Sequence, residues 1–173
     1  MRSIASNRNI TFFLREHQQE MLDLTPEFQR RYVWTDDQAS FLIDTILHEL
    51  PFPEIYLRTK TSSAGSTRFE VVDGQQRLRS ILRFASNDLV LTGENVSPTW
   101  NGKSFEDLTD KQKEAFFGYV IVTRELQSAT DGDIRDIFRR LNIASVTLNQ
   151  QELHHARFKN EFICLVKKLT NDD

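Results

Sequence analysis

The segment from residue 68 to residue 85 constrains the fold of this chain more than any other feature. It opens with Arg-Phe-Glu-Val-Val, which is typical of a strand, and Asp73-Gly74 then marks a tight turn. Helical spacing of apolar residues resumes directly after the turn, at Leu78, Ile81, Leu82 and Ala85. The chain therefore contains a strand, a tight turn and a helix in immediate succession.

Further helices and short strands are predicted along the chain. Helices are predicted over 36–49, 110–117, 131–141, 148–158 and 162–169, and 10–24 is helical in part. Strands are predicted over 54–58 and 118–123, with brief candidates at 89–91 and around Trp100. Residues 142–147 are predicted to form a loop. Short strands mixed with several helices predict an α+β fold.

Composition narrows the class of protein. With 173 residues, of which 39% are hydrophobic and 27% charged, we expect a single soluble domain over 1–173. No apolar run approaches the roughly 20 residues that cross a bilayer, so we expect a cytoplasmic protein without a membrane partner. Cys164 is the one cysteine, which excludes an intramolecular disulfide and a cysteine-rich zinc site. A net charge of −3 argues against an unselective nucleic-acid binder.

The turn after the strand has the ingredients of a phosphate site. Gly74 allows a sharp turn, and the first amides of the following helix lack intrahelical partners. Arg77 lies one turn into the helix, and Gln75 and Gln76 suit a phosphate, a ribose or an attacking water. Asp73 suits a helix cap, a metal ligand or a group that orients a base. An ordinary capped helix after a strand explains the same residues, and no P-loop motif is present.

Two further segments place arginine and amide side chains together. Gln29 and Arg30 lie among aromatic residues in 28–34, where arginine suits phosphate and an aromatic ring suits a base. Hydrophobic anchoring with solvent-facing arginine explains that segment equally well. Arg140 and Asn142 end a predicted helix and could close over a ligand, although asparagine is also a common helix C-cap.

Taken together, three segments resemble a known family. They read PEFQRRYVW, EVVDGQQRLRSIL and IFRRLNIASVTLNQQELHHA, with LPFPEIYL between the first two. In this order they resemble the N-terminal domain of GmrSD-type restriction endonucleases, also called domain of unknown function 262, over about residues 20–158. The resemblance implies a single α+β domain similar to ParB and sulfiredoxin, in which a helix N-terminus after a short strand binds nucleotide phosphates.

The resemblance also implies a function and a set of site residues. It implies binding of a nucleoside triphosphate and its hydrolysis with Mg²⁺, in a regulatory domain of a modification-dependent DNA restriction or phage-defence system. The implied catalytic residues are Asp73, Gln76 and Arg77, with Asp73 also the metal ligand. The implied nucleotide-binding residues are Gln29, Arg30, Gly74, Gln75, Arg77, Arg140 and Asn142.

Some expectations stay open at this point. Residues 143–147 lack the glycine that relatives often have, which leaves the fit of that loop to a ligand open. Full-length relatives carry an HNH nuclease region, which we expect beyond Asp173 or on a partner chain. The chain is then a fragment, a split subunit or a degenerate copy. The alternative functions are a non-catalytic DNA-binding or adaptor module and a ParB-like nuclease.

Overall fold

The computed structural model describes residues 1–24 and 34–141 and shows an α+β fold, as predicted. Its sheet has five strands, which are β1 (Arg2–Asn9), β2 (Leu22–Asp23), β3 (Ile55–Thr61), β4 (Thr67–Asp73) and β5 (Val120–Gln127). Their order in the sheet is β1-β5-β3-β4-β2. The pairs β1/β5 and β3/β4 are antiparallel, whereas β3/β5 and β2/β4 are parallel. The sheet is therefore mixed.

Four helices join these strands in the first of two compact units, residues 1–134. They are α1 (Ile10–Gln18), α2 (Asp36–Leu47), α3 (Gln75–Ala85) and α4 (Asp110–Gly118). Capping boxes at Thr35 and Thr109 start α2 and α4, because each threonine accepts a hydrogen bond from the backbone three residues on. Residues 131–141 are also helical, and the first turn buries Ile134. No helix among the described residues is long and apolar enough to cross a membrane.

The second unit comprises residues 135–173, of which 135–141 are described. They are helical, and Asp136 accepts hydrogen bonds from Arg139 and Arg140 at 2.8 and 2.7 Å. The predicted loop 142–147 and the predicted helices 148–158 and 162–169 lie outside the described residues. The single-domain expectation stays a prediction.

Three local predictions were wrong or incomplete. The strand β1 was missed, because a mostly exposed edge strand has no hydrophobic alternation. Residues 89–91 have no regular secondary structure, and the segment around Trp100 forms a turn. Leu91 forms two backbone hydrogen bonds, with residues 102 and 103, but no strand pairing extends from them. The predicted partly helical segment 10–24 contains α1 and then the two-residue strand β2.

The core anchors α3 beside the sheet. Leu78, Ile81 and Phe84 on α3 are fully buried, as are Leu57 on β3 and Val71 on β4. Burial of each such side chain contributes about 1.5 to 3 kcal/mol relative to leaving it in water. The core thus fixes the N-terminus of α3 directly after the end of β4.

Candidate functional site

Gly74 joins β4 to α3 in a left-handed conformation. Its φ is +96° and its ψ is 13°, and its carbonyl accepts a hydrogen bond from the amide of Leu78 at 2.9 Å. A Cβ at this position would lie 2.9 Å from Cγ1 of Ile55 and 3.2 Å from its Cγ2. The sharp turn expected at Gly74 is confirmed by its left-handed backbone conformation, and the close approach of Ile55 is a second reason for glycine at this position.

The N-terminus of α3 has no side-chain cap among the described residues, because glycine occupies the N-cap position. The first backbone N–H groups of any α-helix also lack intrahelical partners. Gln75 at the first position is only 6% exposed, and its Nε2 has no hydrogen-bond partner among the described residues. Polar donors therefore collect at the positive end of the helix dipole, an arrangement that suits an anion.

Arg77 forms an ion pair within the turn and hydrogen bonds with the segment that precedes β3. Its Nη2 lies 2.6 Å from Oδ2 of Asp73, and its Nη1 donates to the carbonyls of Pro53 and Glu54. Its side chain is 12% exposed, against 37% for Asp73. Burial lowers the pKa of Arg77, while the charge and hydrogen bond of Asp73 act in the opposite direction. Arginine keeps its proton at neutral pH, so the pair is ionic.

Gln76 connects the turn to Trp34. The amide of Trp34 donates to Oε1 of Gln76 at 3.4 Å, which orients the side-chain amide because a backbone N–H can only donate. The carbonyl of Gln76 accepts a hydrogen bond from Ser80 Oγ at 2.8 Å. Trp34 is half-buried and packs against the core. The backbone of Trp34 thus lies beside the N-terminal turn of α3.

A second polar group lies beside the turn, on the neighbouring strands. The Tyr56 hydroxyl donates to Oε1 of Glu54 at 2.6 Å, and Nη2 of Arg124 donates to Oε2 at 3.0 Å. In the sheet register Tyr56 lies between Asp73 on β4 and Arg124 on β5. We name Glu54, Tyr56 and Arg124 the Glu54 cluster.

Electrostatics of the Glu54 cluster follow from these bonds. Burial, together with the hydrogen bond to Glu54 and the charge of Glu54, raises the pKa of Tyr56 to about 12. Burial also raises the pKa of Glu54, but the hydrogen bonds from Tyr56 and Arg124 outweigh it and hold that pKa below its ordinary value. At neutral pH the cluster therefore holds a carboxylate, a phenol and a guanidinium.

The comparisons with known proteins bear on this site. The family model described as "GmrSD restriction endonuclease, N-terminal domain" matches residues 10–159. The chain belongs to this family. The matched range includes β4, the turn at Gly74 and α3. No curated protein and no solved structure matches the chain.

The structure gathers the predicted residues of the GmrSD N-terminal domain only in part. The five consecutive residues from Asp73 to Arg77 form the turn and the first turn of α3. Gln29, Arg30 and Asn142 lie outside the described residues. In the second unit, Arg140 is exposed and its Nε bonds to Asp136. Sequence reasoning missed the Glu54 cluster, whose only signal was a glutamate and a tyrosine in LPFPEIYL.

The described residues do not hold a ready-made metal site. No three of their His, Cys, Asp or Glu side chains lie close enough together to bind one metal ion, so Asp73 is not part of such a group.

A cavity of about 870 Å³ lies between α1, α3 and α4, and Arg79, Leu82 and Phe117 are among its lining residues. Residues 73–77 do not line it, so it is separate from the turn.

Proposed function

We propose that this member of the GmrSD family binds the phosphates of a nucleoside triphosphate at the N-terminus of α3. In this proposal it hydrolyses the nucleotide with Mg²⁺, and the nucleotide state regulates DNA cleavage in a restriction or phage-defence system in the cytoplasm. The nuclease belongs to a partner chain or a C-terminal region. The observation that carries the proposal is the buried Nε2 of Gln75 at the N-terminus of α3, where the described part of the chain supplies neither a partner for this amide nor a side-chain cap.

The unpartnered amide is costly without a ligand. A buried donor that has no acceptor destabilises a protein by about 1 to 3 kcal/mol. A phosphate oxygen at the turn would accept from Nε2 of Gln75 and from the free backbone N–H groups of the first turn. An anion that accepts this hydrogen bond would therefore regain, on binding, the stability that the ligand-free protein loses. In this proposal, that gain is the reason why glutamine rather than an apolar residue occupies the buried position.

The remaining roles follow from the same geometry. Asp73 suits a magnesium ion, since Mg²⁺ bound to a nucleotide commonly uses one or two protein carboxylates together with the phosphates. An Asp73 carboxylate bound to Mg²⁺ would compete less for Arg77, whose Nη2 could then reach a phosphate oxygen. Gln76 orients the attacking water in this proposal, and Gln29, Arg30, Arg140 and Asn142 complete the nucleotide site. Hydrolysis then depends on positioning and on stabilisation of charge.

One observation favours a second candidate function, a non-catalytic DNA-binding or adaptor module. Arg77 already bonds to Asp73 and to two carbonyls, as a residue that only shapes a turn would. The ParB-like nuclease alternative has less support, because cleavage by two metal ions draws several acids together and the described residues hold no such group.

Phosphate release separates these candidates. Purified protein is incubated with each of the four ribonucleoside triphosphates and Mg²⁺, with and without DNA. We expect release from at least one of them, lost in Asp73→Asn. A nucleotide at 100 times its Kd should also stabilise the protein by about 2.7 kcal/mol. No release and no stabilisation by any nucleotide would favour the adaptor function.

Gln75→Met tests the observation that carries the proposal. Methionine has nearly the same length and no donor, so the variant should be more stable than wild type without ligand, by about 1 kcal/mol. It should also lose much of the stabilisation that the nucleotide confers. Urea denaturation with and without nucleotide and Mg²⁺ measures both effects.

The matched control is Thr59→Val. Thr59 on β3 also has a buried side-chain oxygen without a partner among the described residues, but it lies away from the turn. This variant should leave the response to nucleotide unchanged. An equal nucleotide response in Gln75→Met and Thr59→Val would contradict the role of Gln75.

A further inference from the structure

Residues 53–55 contact the turn at three successive positions. The carbonyls of Pro53 and Glu54 accept hydrogen bonds from Arg77, and the side chain of Ile55 lies against Gly74. Arg77 in turn bonds to Asp73. The short segment that leads into β3 therefore packs against the turn and forms hydrogen bonds with it.

The side chain of Glu54 fixes that segment to the sheet. Its two carboxylate oxygens accept separate hydrogen bonds, one from Tyr56 on β3 and one from Arg124 on β5. Arg124 reaches it from the adjacent, parallel strand. The fixed φ of Pro53 further limits how the segment can move. A chain of contacts thus runs from β5 through Glu54 and Arg77 to Asp73.

We propose that Glu54 is a positioning residue for the turn at Gly74, held in place by Arg124 and Tyr56. It touches no phosphate; it sets the geometry of the turn through the backbone carbonyls that receive Arg77. Its relevance to catalysis rests on the proposed nucleotide site, whereas the positioning itself is a property of the ligand-free protein and is measurable there.

The amide of Leu78 reports on the turn, because it donates to the carbonyl of Gly74 and closes the first turn of α3. In Arg124→Gln we expect hydrogen exchange at this amide, measured by NMR, to accelerate about fivefold. A fivefold change corresponds to about 1 kcal/mol, which is the contribution expected of a partly exposed charged pair. The amides of Ile81 and Phe84, further along α3, should change less. Arg124→Lys should restore part of the protection, since lysine can still donate to Glu54.

The matched control is Arg8→Gln. Arg8 on β1 bonds to Glu125 on β5 at 2.7 Å, and its side chain is 35% exposed, the same fraction as for Arg124. This variant removes an equivalent cross-strand pair away from the turn and should leave exchange at Leu78 unchanged. Equal acceleration at Leu78 in the two variants, or uniform acceleration along α3 in Arg124→Gln, would overturn the positioning role.

Titration with nucleotide and Mg²⁺ on the same samples separates the two proposals. If wild type binds no nucleotide, the proposed function fails, while exchange at Leu78 still decides the role of Glu54. If wild type binds and Arg124→Gln binds equally well with unchanged exchange, the positioning role fails and the nucleotide site stands.

Discussion

Replacing Gly74 with alanine should lower the free energy of unfolding by about 3 kcal/mol. A residue with a Cβ in the left-handed region costs about 1 to 2 kcal/mol. The new Cβ would also lie 2.9 Å from Cγ1 of Ile55, which is fully buried, and overpacking adds about 1 to 3 kcal/mol. Urea denaturation measures the loss, and the nucleotide response should fall with it because the helix N-terminus must shift.

Gly65→Ala separates the two contributions. Gly65 also has a positive φ, +83°, but a Cβ there would meet nothing within 4 Å. This variant should show the conformational cost alone, about 1 kcal/mol. If the two variants lose the same stability, the contact between residue 74 and Ile55 contributes nothing and the turn needs glycine for its backbone angle only.

The turn could be predicted from sequence because its signals are local and agree. A strand pattern, an Asp-Gly pair and helical spacing follow one another, and each depends on residues that are close in sequence. The strand β1 could not be predicted in this way. Its residues RSIASNRN include only one large apolar side chain, and they form a strand because β5, more than 100 residues later, supplies the partner.

In the candidate site, too, local structure could be predicted from the sequence, whereas contacts between distant segments could not. The sequence places Arg77 one turn into α3, but not the direction of its side chain, which is set by carbonyls more than 20 residues earlier. Likewise, Tyr56 and Arg124 become neighbours only through the register of the parallel pair β3/β5. Contacts between distant segments therefore decide which of the predicted ligand-binding side chains are exposed and which are bonded to other protein atoms.

Arg77→Met should destabilise the protein by about 2 to 3 kcal/mol even without nucleotide. Methionine fills part of the space but leaves the carboxylate of Asp73 and the carbonyls of Pro53 and Glu54 without this donor. Loss of one partner of a buried ion pair costs about 3 to 5 kcal/mol, and the partial exposure of Asp73 reduces that figure. Arg79→Met is the control, since Arg79 on the same helix donates to the carbonyl of Leu24 at 3.2 Å and should cost about 1 kcal/mol or less.

A second substitution then tests whether the unpaired charge causes the loss. In an Arg77→Met background, Asp73→Asn removes the carboxylate that has lost its partner, so it should recover part of the stability, whereas in wild type it should destabilise. Such non-additivity is expected when two residues form one ion pair. Strictly additive effects, together with wild-type stability in Arg77→Met, would show that Arg77 does not hold the turn. Its guanidinium would then be available to a phosphate without first leaving Asp73.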